Sequence, residues 1–348
     1  GPAGLFAALT LIEHGIRPII YERGKEVAER KKDIASLNRN LGLNAESNYC
    51  FGEGGAGTFS DGKLFSRSKK RGNMQRVMEL FHYFGGDDRL LYEAHAHIGS
   101  DKLPTIIRRM RECILEHGGE IHFSTCVDES LFRSLVASSS HRYIATILAI
   151  GHSAHDTYHM LHANGVALAT KGFAMGVRAE HPQSLINKLM YHDPSPELIR
   201  LVGNASYSLV TQVRGRGVYS FCMCPGGHIV PAGSSQNSCV VNGMSASHRN
   251  SPYANSGMVV EIRPDDLNEQ DPLAGLRFQQ QLEYLSYQHG GIPSLAPAQR
   301  MRDFVEGKLS KSLPSCSYLP GTVSSRLPQW LPEHIGKRLQ QGFRALDR

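Results

Sequence analysis

The sequence has no long apolar run and no CxxC pair, and each absence removes a class of protein. No stretch approaches the roughly 18 apolar residues that a membrane-spanning helix needs, so we predict no membrane partner. The seven cysteines are odd in number and scattered, which favours a reducing compartment and argues against a disulfide framework or a zinc ribbon. The one basic cluster, at residues 67–71, has no interleaved aromatic side chains, so we also predict no nucleic-acid partner.

The chain also lacks an initiator methionine and opens on the letters GPAG, so we expect its N-terminus, with any targeting segment there, to be missing. Its 348 residues suggest two domains, which we place at residues 1–165 and 166–348. The 41% hydrophobic and 20% charged content is ordinary for a globular protein. Composition therefore bounds the class of protein and leaves the function to the motifs.

Glycine is concentrated in one loop, residues 50–64, with the sequence CFGEGGAGTFSDGKL. Five of these residues are glycines, which let the backbone take positive φ angles and approach a ligand closely. Successive N–H groups in such turns can form a concave nest for an anion. The loop therefore predicts contact with a phosphate-bearing cofactor.

Part of this loop, residues 57–63, also fits the start of the nucleotide triphosphatase pattern G-x-x-x-x-G-K. That pattern requires Ser or Thr at the next position to hold Mg²⁺, whereas this chain has Leu64. The flanking sequence is glycine-rich before the match and basic after it, where a buried strand and a helix are required. The triphosphatase is therefore a discounted alternative.

The first 22 residues resemble part of a dinucleotide-binding βαβ unit. Helical spacing of apolar residues predicts a helix over residues 1–15, and residues 18–22 form a short apolar strand that ends in an acid. Gly1 and Gly4 fit the second and third glycines of G-x-G-x-x-G, and Glu22 lies where a carboxylate accepts ribose hydroxyls. A glycine-capped helix and strand without a nucleotide is the alternative.

Hydrophobic periodicity predicts elements along the rest of the chain. The predicted helices cover residues 75–84, 101–117, 271–289 and 332–346, and the strands of the first half cover residues 120–127 and 143–150. The strand at 143–150 is apolar throughout, which fits a parallel sheet covered on both faces. The second half has predicted strands at residues 173–179, 208–213, 218–224, 240–242 and 258–263, followed by a loop-like, proline-rich remainder.

Two groups of residues, four histidines and two cysteines, are candidates for metal binding or thiol chemistry. Four histidines between residues 152 and 162 have helical spacing, but imidazoles along one helix cannot close around one ion, so we predict no metal site. Cys222 and Cys224 form a CxC, which we interpret as thiols on alternate faces of a strand. A redox role for these thiols is the alternative.

Several segments together resemble a known family. They are residues 1–4, 22–24, 46–50, 51–64, 99–103, 148–157, 173–183, 220–227, 242–245 and 272–278. In these segments, and in their order over almost the whole chain, the sequence resembles the uncharacterised FAD-dependent dehydrogenases of bacteria and plant plastids. That resemblance implies an α/β fold of the glutathione-reductase-like superfamily: a Rossmann-like FAD-binding domain with an inserted α+β substrate domain. It also implies a cytoplasmic or plastid location.

The resemblance implies a set of positions around the FAD. The first helical turn is expected at the pyrophosphate, Glu22 and Arg23 at the adenosine ribose, and Val127 at the adenine. The glycine loop is expected to run along the pyrophosphate toward the flavin, and residues 149–153 to form a second turn against the cofactor. The implied cofactor-binding residues are Gly1, Pro2, Ala3, Gly4, Glu22, Arg23, Gly54, Gly55, Gly57, Thr58, Ser60, Asp61, Gly62, Lys63, Val127, Ala149 and Gly151.

The expected function is that of an FAD-dependent oxidoreductase, which transfers hydride or electrons between an unknown small molecule and the bound flavin. NAD(P)H is a candidate electron donor. Lys63 is the candidate positive charge near the flavin or the phosphates, with an ordinary surface lysine as the alternative. His152, Cys222 and Cys224 are the candidates for proton transfer or thiol chemistry.

The sequence also departs from the family pattern. The first strand and first glycine are absent, no glycine-rich segment follows at the C-terminus, and His155 stands where relatives usually have Arg. Only 15 residues separate Val127 from Tyr143, too few for the usual β-meander. We therefore expect a fragment, and the second hypothesis is a cofactor-free remnant or interaction protein that retains the fold.

Overall fold

The computed structural model describes residues 1–64, 72–136, 143–291 and 295–347. The chain divides into two compact units, one of Gly1–Leu37 with Leu43–Ala167 and one of Asn38–Gly42 with Leu168–Arg348. In the described ranges, no helix combines the length and the apolar character that crossing a membrane requires. Both units mix helices with strands, so the predicted α/β character is confirmed at that level.

The first unit is mainly helical around one small parallel sheet. Its elements are α1 (Pro2–Glu13), β1 (Ile19–Tyr21), α2 (Val27–Asn38), α3 (Met74–Tyr83), α4 (Leu103–Glu116), β2 (Glu120–His122), α5 (Glu129–Val136) and α6 (His155–Ala163). Strands β1 and β2 pair in parallel, with Ile20 opposite Ile121. Within the described residues this sheet has two strands, so the complete Rossmann-like arrangement stays a prediction.

Helix α4 confirms the prediction at residues 101–117. Its apolar face is buried along its whole length, and the buried residues are the five that the periodicity selects: Leu103, Ile106, Ile107, Met110 and Ile114. Leu5 and Leu9 of α1 pack into the same core. Helix α1 ends at Glu13, and Gly15 follows with a φ of 72°, as a glycine stop requires.

The predicted strand at residues 143–150 is wrong. This segment forms no strand, and its apolar side chains are exposed, with 92% of Ile144 and 59% of Ile147 open to solvent. A strand needs a neighbouring backbone to complete its hydrogen-bond ladder, and none of the described strands pairs with this segment. Of the strand predicted at residues 120–127, only β2 forms, because only its three residues pair with β1.

The second unit is built on a four-stranded antiparallel sheet. Its elements are β3 (Phe173–Pro182), α7 (Gln183–Tyr191), α8 (Pro196–Val202), β4 (Val210–Val213), β5 (Arg216–Cys224), β6 (His228–Pro231), β7 (Val241–Met244), β8 (Tyr253–Ile262), α9 (Ala274–Gly290), β9 (Ala296–Ala298), α10 (Met301–Glu306), β10 (Thr322–Ser324), α11 (Leu327–Trp330) and α12 (Glu333–Leu346). The strand order is β3-β8-β5-β4. Val218 and Val260 pack with Ile335 and Leu339 of α12 in the core on one face of the sheet.

Short elements account for most of the differences in the second unit. Strands β6 and β7 form an antiparallel hairpin of which the sequence predicted one strand, and β9 pairs with β10 in parallel. Helices α10 and α11 lie in the part predicted to be loop-like. These elements have between three and six residues, too few to establish a hydrophobic period.

The interpretation of Cys222 and Cys224 is also wrong in its geometry. Residues two apart share one face of a regular strand, so the pleat would not separate them. Strand β5 instead shifts register between Phe221 and Cys224, and Cys222 takes a φ of 47° at this bulge. Cys224 is fully buried and Cys222 only partly, so the bulge, not the pleat, gives the two thiols different environments.

Candidate functional site

The glycine loop and the start of α1 lie against each other in the first unit. A Cβ built on Gly55 would stand 2.8 Å from the Cα of Gly1, and one built on Gly57 would stand 4.0 Å from Cγ of Pro2. Gly54 and Gly55 have φ angles of 75° and 63°, which side chains rarely tolerate. The loop can therefore approach the helix N-terminus this closely only because glycine stands at these positions.

Glu22 joins the same cluster from the end of β1. Its Oε1 accepts hydrogen bonds from the N–H groups of Gly24 and Gly52, each at 3.0 Å. Its Oε2 lies 3.6 Å from the nitrogen of Gly1, and 15% of the side chain is exposed. The two amides fix the carboxylate at one oxygen, so the other oxygen faces the start of α1.

The loop crosses the end of β1 at a second pair of glycines. A Cβ on Gly24 would stand 2.5 Å from the Cα of Gly52, and a Cβ on Gly52 would stand 2.4 Å from Cδ of Arg30. Gly52 has a φ of 113°. The backbones of Gly24 and Gly52 and the side chain of Arg30 are therefore packed so closely that no Cβ fits at either glycine.

Arg30 holds the loop, and the sequence analysis did not identify it. Its side chain is completely buried and donates hydrogen bonds to the backbone carbonyls of Asn48, Tyr49, Gly52 and Glu53. Burial lowers its pKa to about 10, while the nearby Glu22 carboxylate opposes this shift. Its position on a charged helix, four residues after Glu26, resembles an ordinary solvated site, so no sequence signal marked it.

Glu53 fixes the loop from the opposite direction. Its side chain is 3% exposed, and Oε2 accepts a 2.7 Å hydrogen bond from the N–H of Val27 at the start of α2. Oε1 lies 3.3 Å from Nε of Arg111. Burial raises the pKa of the Glu53 carboxyl, although both of these contacts favour its charged form. The loop is therefore tied to both α2 and α4.

The second half of the loop is held by its own side chains. Thr58 Oγ1 donates to the carbonyl of Glu53, and Ser60 Oγ donates to the carbonyl of Gly57 and accepts from the N–H of Gly62. A Cβ on Gly62 would stand 2.8 Å from Leu103. These residues are therefore engaged in shaping the loop.

Lys63 lies at the end of the loop, with 31% of its side chain exposed. Its Nζ is 2.5 Å from Oδ2 of the buried Asp61, so its charge is compensated within the protein. Its backbone forms an isolated bridge with His97. The residues that follow it, 65–71, lie outside the described residues, so the helix that a triphosphatase motif requires there is not in view.

Arg23 is a hub of ion pairs. Its guanidinium makes two hydrogen bonds to Glu46 and two to Asp156, and it stacks 4.4 Å above the ring of Phe51. Burial lowers its pKa, but the hydrogen bonds to Asp156 and Glu46 outweigh that effect and raise it. Arg23 thus connects the glycine loop to the first turn of α6.

The remaining predicted cofactor residues lie around this cluster. A Cβ on Gly4 would stand 3.7 Å from Cβ of Ala149, so that turn contacts α1, and Gly151 follows with a φ of 72°. Val127 follows the segment in which the N–H of Thr125 donates to the carbonyl of Glu22. The cofactor-binding positions implied by the resemblance are therefore all in the first unit.

The catalytic candidates are divided between the two units. The imidazole of His152 is on the surface, where neighbouring protein atoms displace part of its water and lower its pKa. Cys222 and Cys224 belong to the second unit. Among the described residues, no group of three or more His, Cys, Asp or Glu side chains is placed to hold a metal ion, and none of the seven cysteines forms a disulfide.

Two comparisons with known proteins bear on this site. Residues 172–348 match a family model described as FAD-dependent protein, C-terminal domain-like. The chain is also 40% identical over 360 aligned residues to a protein of Clostridium beijerinckii described as an uncharacterized protein. That alignment covers 100% of this chain and 67% of the relative. The match to the family model lies entirely within the second unit.

Proposed function

The chain belongs to the family of FAD-dependent proteins that this C-terminal domain-like model describes, and from that premise we propose that its first unit binds FAD in a Rossmann-like arrangement. We further propose that the protein is an oxidoreductase acting on a small molecule. The family membership supports a flavoprotein. The assignment of individual residues rests on the geometry of the first unit.

One observation carries the proposal: the start of α1, the Glu22 carboxylate and the glycine loop converge on one another. The first-turn N–H groups of a helix have no intrahelical acceptors, and the helix dipole adds a partial positive charge there. Such a terminus suits a pyrophosphate. Glu22 stands beside it with one carboxylate oxygen near Gly1, and a carboxylate at this position can accept hydrogen bonds from ribose hydroxyls.

The residues present fit this group in type as well as in place. Gly1 and Gly4 stand in the helical turn proposed for the pyrophosphate. Gly54 and Gly55 let the loop pack closely against its neighbours, and Arg30 and Glu53 hold the loop in shape. Bound flavin supplies the redox chemistry, and the protein supplies placement and electrostatics. Lys63 is the proposed positive charge at the flavin end of the loop, with Asp61 orienting its ammonium group.

The test of FAD binding compares Glu22→Gln with the original chain in a titration followed by flavin fluorescence. The substitution keeps an oxygen for Gly24 and Gly52 but replaces the second oxygen by a donor, so we expect affinity to fall about tenfold. Glu13→Gln, an exposed carboxylate on α1, is the matched control and should leave affinity unchanged. A colourless protein that takes up no added FAD would refute the proposal for this chain.

Oxidoreductase activity requires a separate measurement on the flavin-loaded protein. We propose NAD(P)H as an electron donor, and anaerobic mixing should then bleach the flavin absorbance. If only a different reductant bleaches the flavin, the oxidoreductase proposal stands and NAD(P)H is excluded as its electron donor. If no tested donor reduces the bound flavin, the proposed oxidoreductase activity is refuted and only flavin binding stands.

One observation favours a second function, that of an interaction protein. Helices α7 and α8 expose several large apolar side chains, including Leu189 at 61% and Leu201 at 84%. Exposed apolar residues grouped in this way are typical of contact surfaces. A cofactor-free chain that forms a defined complex in sedimentation velocity would favour this function.

A further inference from the structure

The second unit carries a guanidinium that no part of the proposed function uses. Arg178 lies in the middle of β3, directly opposite Gly257 of β8, and Phe221 of β5 lies opposite the same glycine from the other side. Residues paired across a sheet point to the same face. Arg178 and Phe221 therefore flank Gly257 on one face of the sheet.

We propose that Arg178 and Phe221 form a binding site for a small aromatic carboxylate. The carboxylate would pair with the guanidinium, and the aromatic ring would lie against Phe221. The site needs no flavin and is independent of the first unit, so its failure and that of the proposed cofactor site are separate results.

Arg178 is held in place by neutral groups. Its Nη1 donates to Asn255 Oδ1 at 2.7 Å and approaches the carbonyl of Cys222 at 3.5 Å, and its Nη2 donates to Asn242 Oδ1 at 3.1 Å. These residues come from three different strands, β5, β7 and β8. The guanidinium thus has a fixed orientation set by uncharged partners.

No carboxylate in the described part of the chain forms an ion pair with Arg178, whereas Arg216 of the same sheet pairs with Asp266. A guanidinium carries five N–H donors, and Nε makes no hydrogen bond to a described residue. Nη2 also has a second proton beyond the one given to Asn242. Because the side chain is only half-buried, the edge formed by Nε and Nη2 can receive a carboxylate in the bidentate manner.

Asn255 adds an independent observation. Its side chain is completely buried, and its Nδ2 has no hydrogen-bond partner in the described structure. A buried amide donor without an acceptor destabilises the folded state, so its presence needs a reason. Its Oδ1 supplies that reason, because it fixes the Arg178 fork at a position where a carboxylate would have introduced an internal ion pair.

Phe221 and Gly257 define the rest of the site. Phe221 is 61% exposed although it lies on an inner strand of the sheet. A Cβ on Gly257 would stand 3.6 Å from Cβ of Phe221 and 3.8 Å from Nη2 of Arg178, so the missing side chain leaves the space between them open. An exposed ring beside an uncompensated charge favours a ligand with both an aromatic and an anionic part.

The test uses benzoate as the probe, titrated calorimetrically into the full chain, with benzamide and inorganic phosphate as comparison compounds. We expect saturable 1:1 binding of benzoate and at least tenfold weaker binding of the neutral benzamide, because a charge-assisted pair is lost. Phe221→Ala should weaken benzoate binding about three- to tenfold, because the contact between the two rings is lost.

Two substitutions make the result specific to Arg178. Asn242→Asp is nearly isosteric and supplies an internal carboxylate 3.1 Å from Nη2, so it should abolish benzoate binding while the thermal unfolding temperature is kept or raised. Arg302→Gln, which removes an exposed arginine of α10, should change nothing. Equal affinity for benzoate and benzamide, unchanged binding in Asn242→Asp, or a preference for phosphate would each overturn the proposal.

Discussion

At the scale of single residues, Arg30 decides whether the glycine loop keeps its shape. Glycines make close approach possible, but they also leave the unfolded chain with the most conformational freedom to lose. Arg30 compensates by donating hydrogen bonds to four backbone carbonyls, two within the loop and two just before it. The loop is thus organised around a charged side chain and not around an apolar core.

The corresponding prediction concerns Arg30→Met. The substitution keeps an unbranched side chain but removes every donor to the loop, so we expect the free energy of unfolding to fall by about 3 kcal/mol. Urea denaturation followed by circular dichroism measures the change. Lys31→Met, on the exposed side of the same helix, is the control and should stay within about 0.5 kcal/mol. A similar loss in both variants would contradict the role of Arg30.

At the scale of elements, the bulge in β5 is the most informative departure from regular structure. The extra residue lies between the pairs formed by Phe221 with Gly257 and Cys224 with Asn255. It places Cys222 in the left-handed region and turns its carbonyl toward Arg178. Bulges commonly redirect groups next to functional sites, and this one borders the proposed carboxylate site.

The bulge predicts an unusual effect of glycine. Cys222→Gly should stabilise the protein by up to about 1 kcal/mol, because glycine adopts the left-handed conformation without the penalty of a Cβ. Ser220→Gly, in the regular part of the same strand, should instead destabilise by at least a similar amount, because glycine adds backbone freedom and the hydrogen bond from the N–H of Leu209 to Ser220 Oγ is lost. Thermal unfolding of both variants provides the comparison. Destabilisation of equal size in the two would show that the Cys222 side chain, and not its backbone, matters.

At the scale of the whole molecule, the two units carry different features. The first holds the glycine cluster proposed for FAD, and the second holds the family match, the proposed carboxylate site and a half-buried pair, His181 and Tyr207. The ring nitrogen Nε2 of His181 lies 2.9 Å from the hydroxyl of Tyr207. Burial lowers the pKa of His181 and raises that of Tyr207 to about 12.

This pair predicts how stability changes with pH. Below pH 6.5 the unfolded His181 binds a proton that the folded one resists, so stability should fall as the pH decreases from about 6.5 through the lowered folded pKa. His181→Gln should flatten this slope in part, because His152, His155, His228 and His334 also have lowered pKa values. The exposed His248→Gln is the control, and an equal slope in both variants would exclude His181 as a source.

Particular elements show where prediction from the sequence succeeded. Helix α4 was predicted from the apolar period of residues 101–117, because a long amphipathic helix repeats its period over several turns. The helix, strand and glycine loop of the first unit were also recognised, since each has a local signature. The strand prediction for residues 143–150 failed because their apolar sequence fits a strand, whereas none of the described strands pairs with them.

The sequence by itself determined which positions lack side chains and which faces are apolar, because glycine and hydrophobic period act on the local backbone. It therefore pointed to the glycine loop, to Glu22 and to the family. Only the tertiary structure decided that Arg30 is buried among backbone carbonyls and that β5 bulges at Cys222. It also decided that Arg178 pairs with amides and with no carboxylate of the described residues. Those features depend on contacts between residues far apart in the chain, and such contacts leave no period or motif in any one segment.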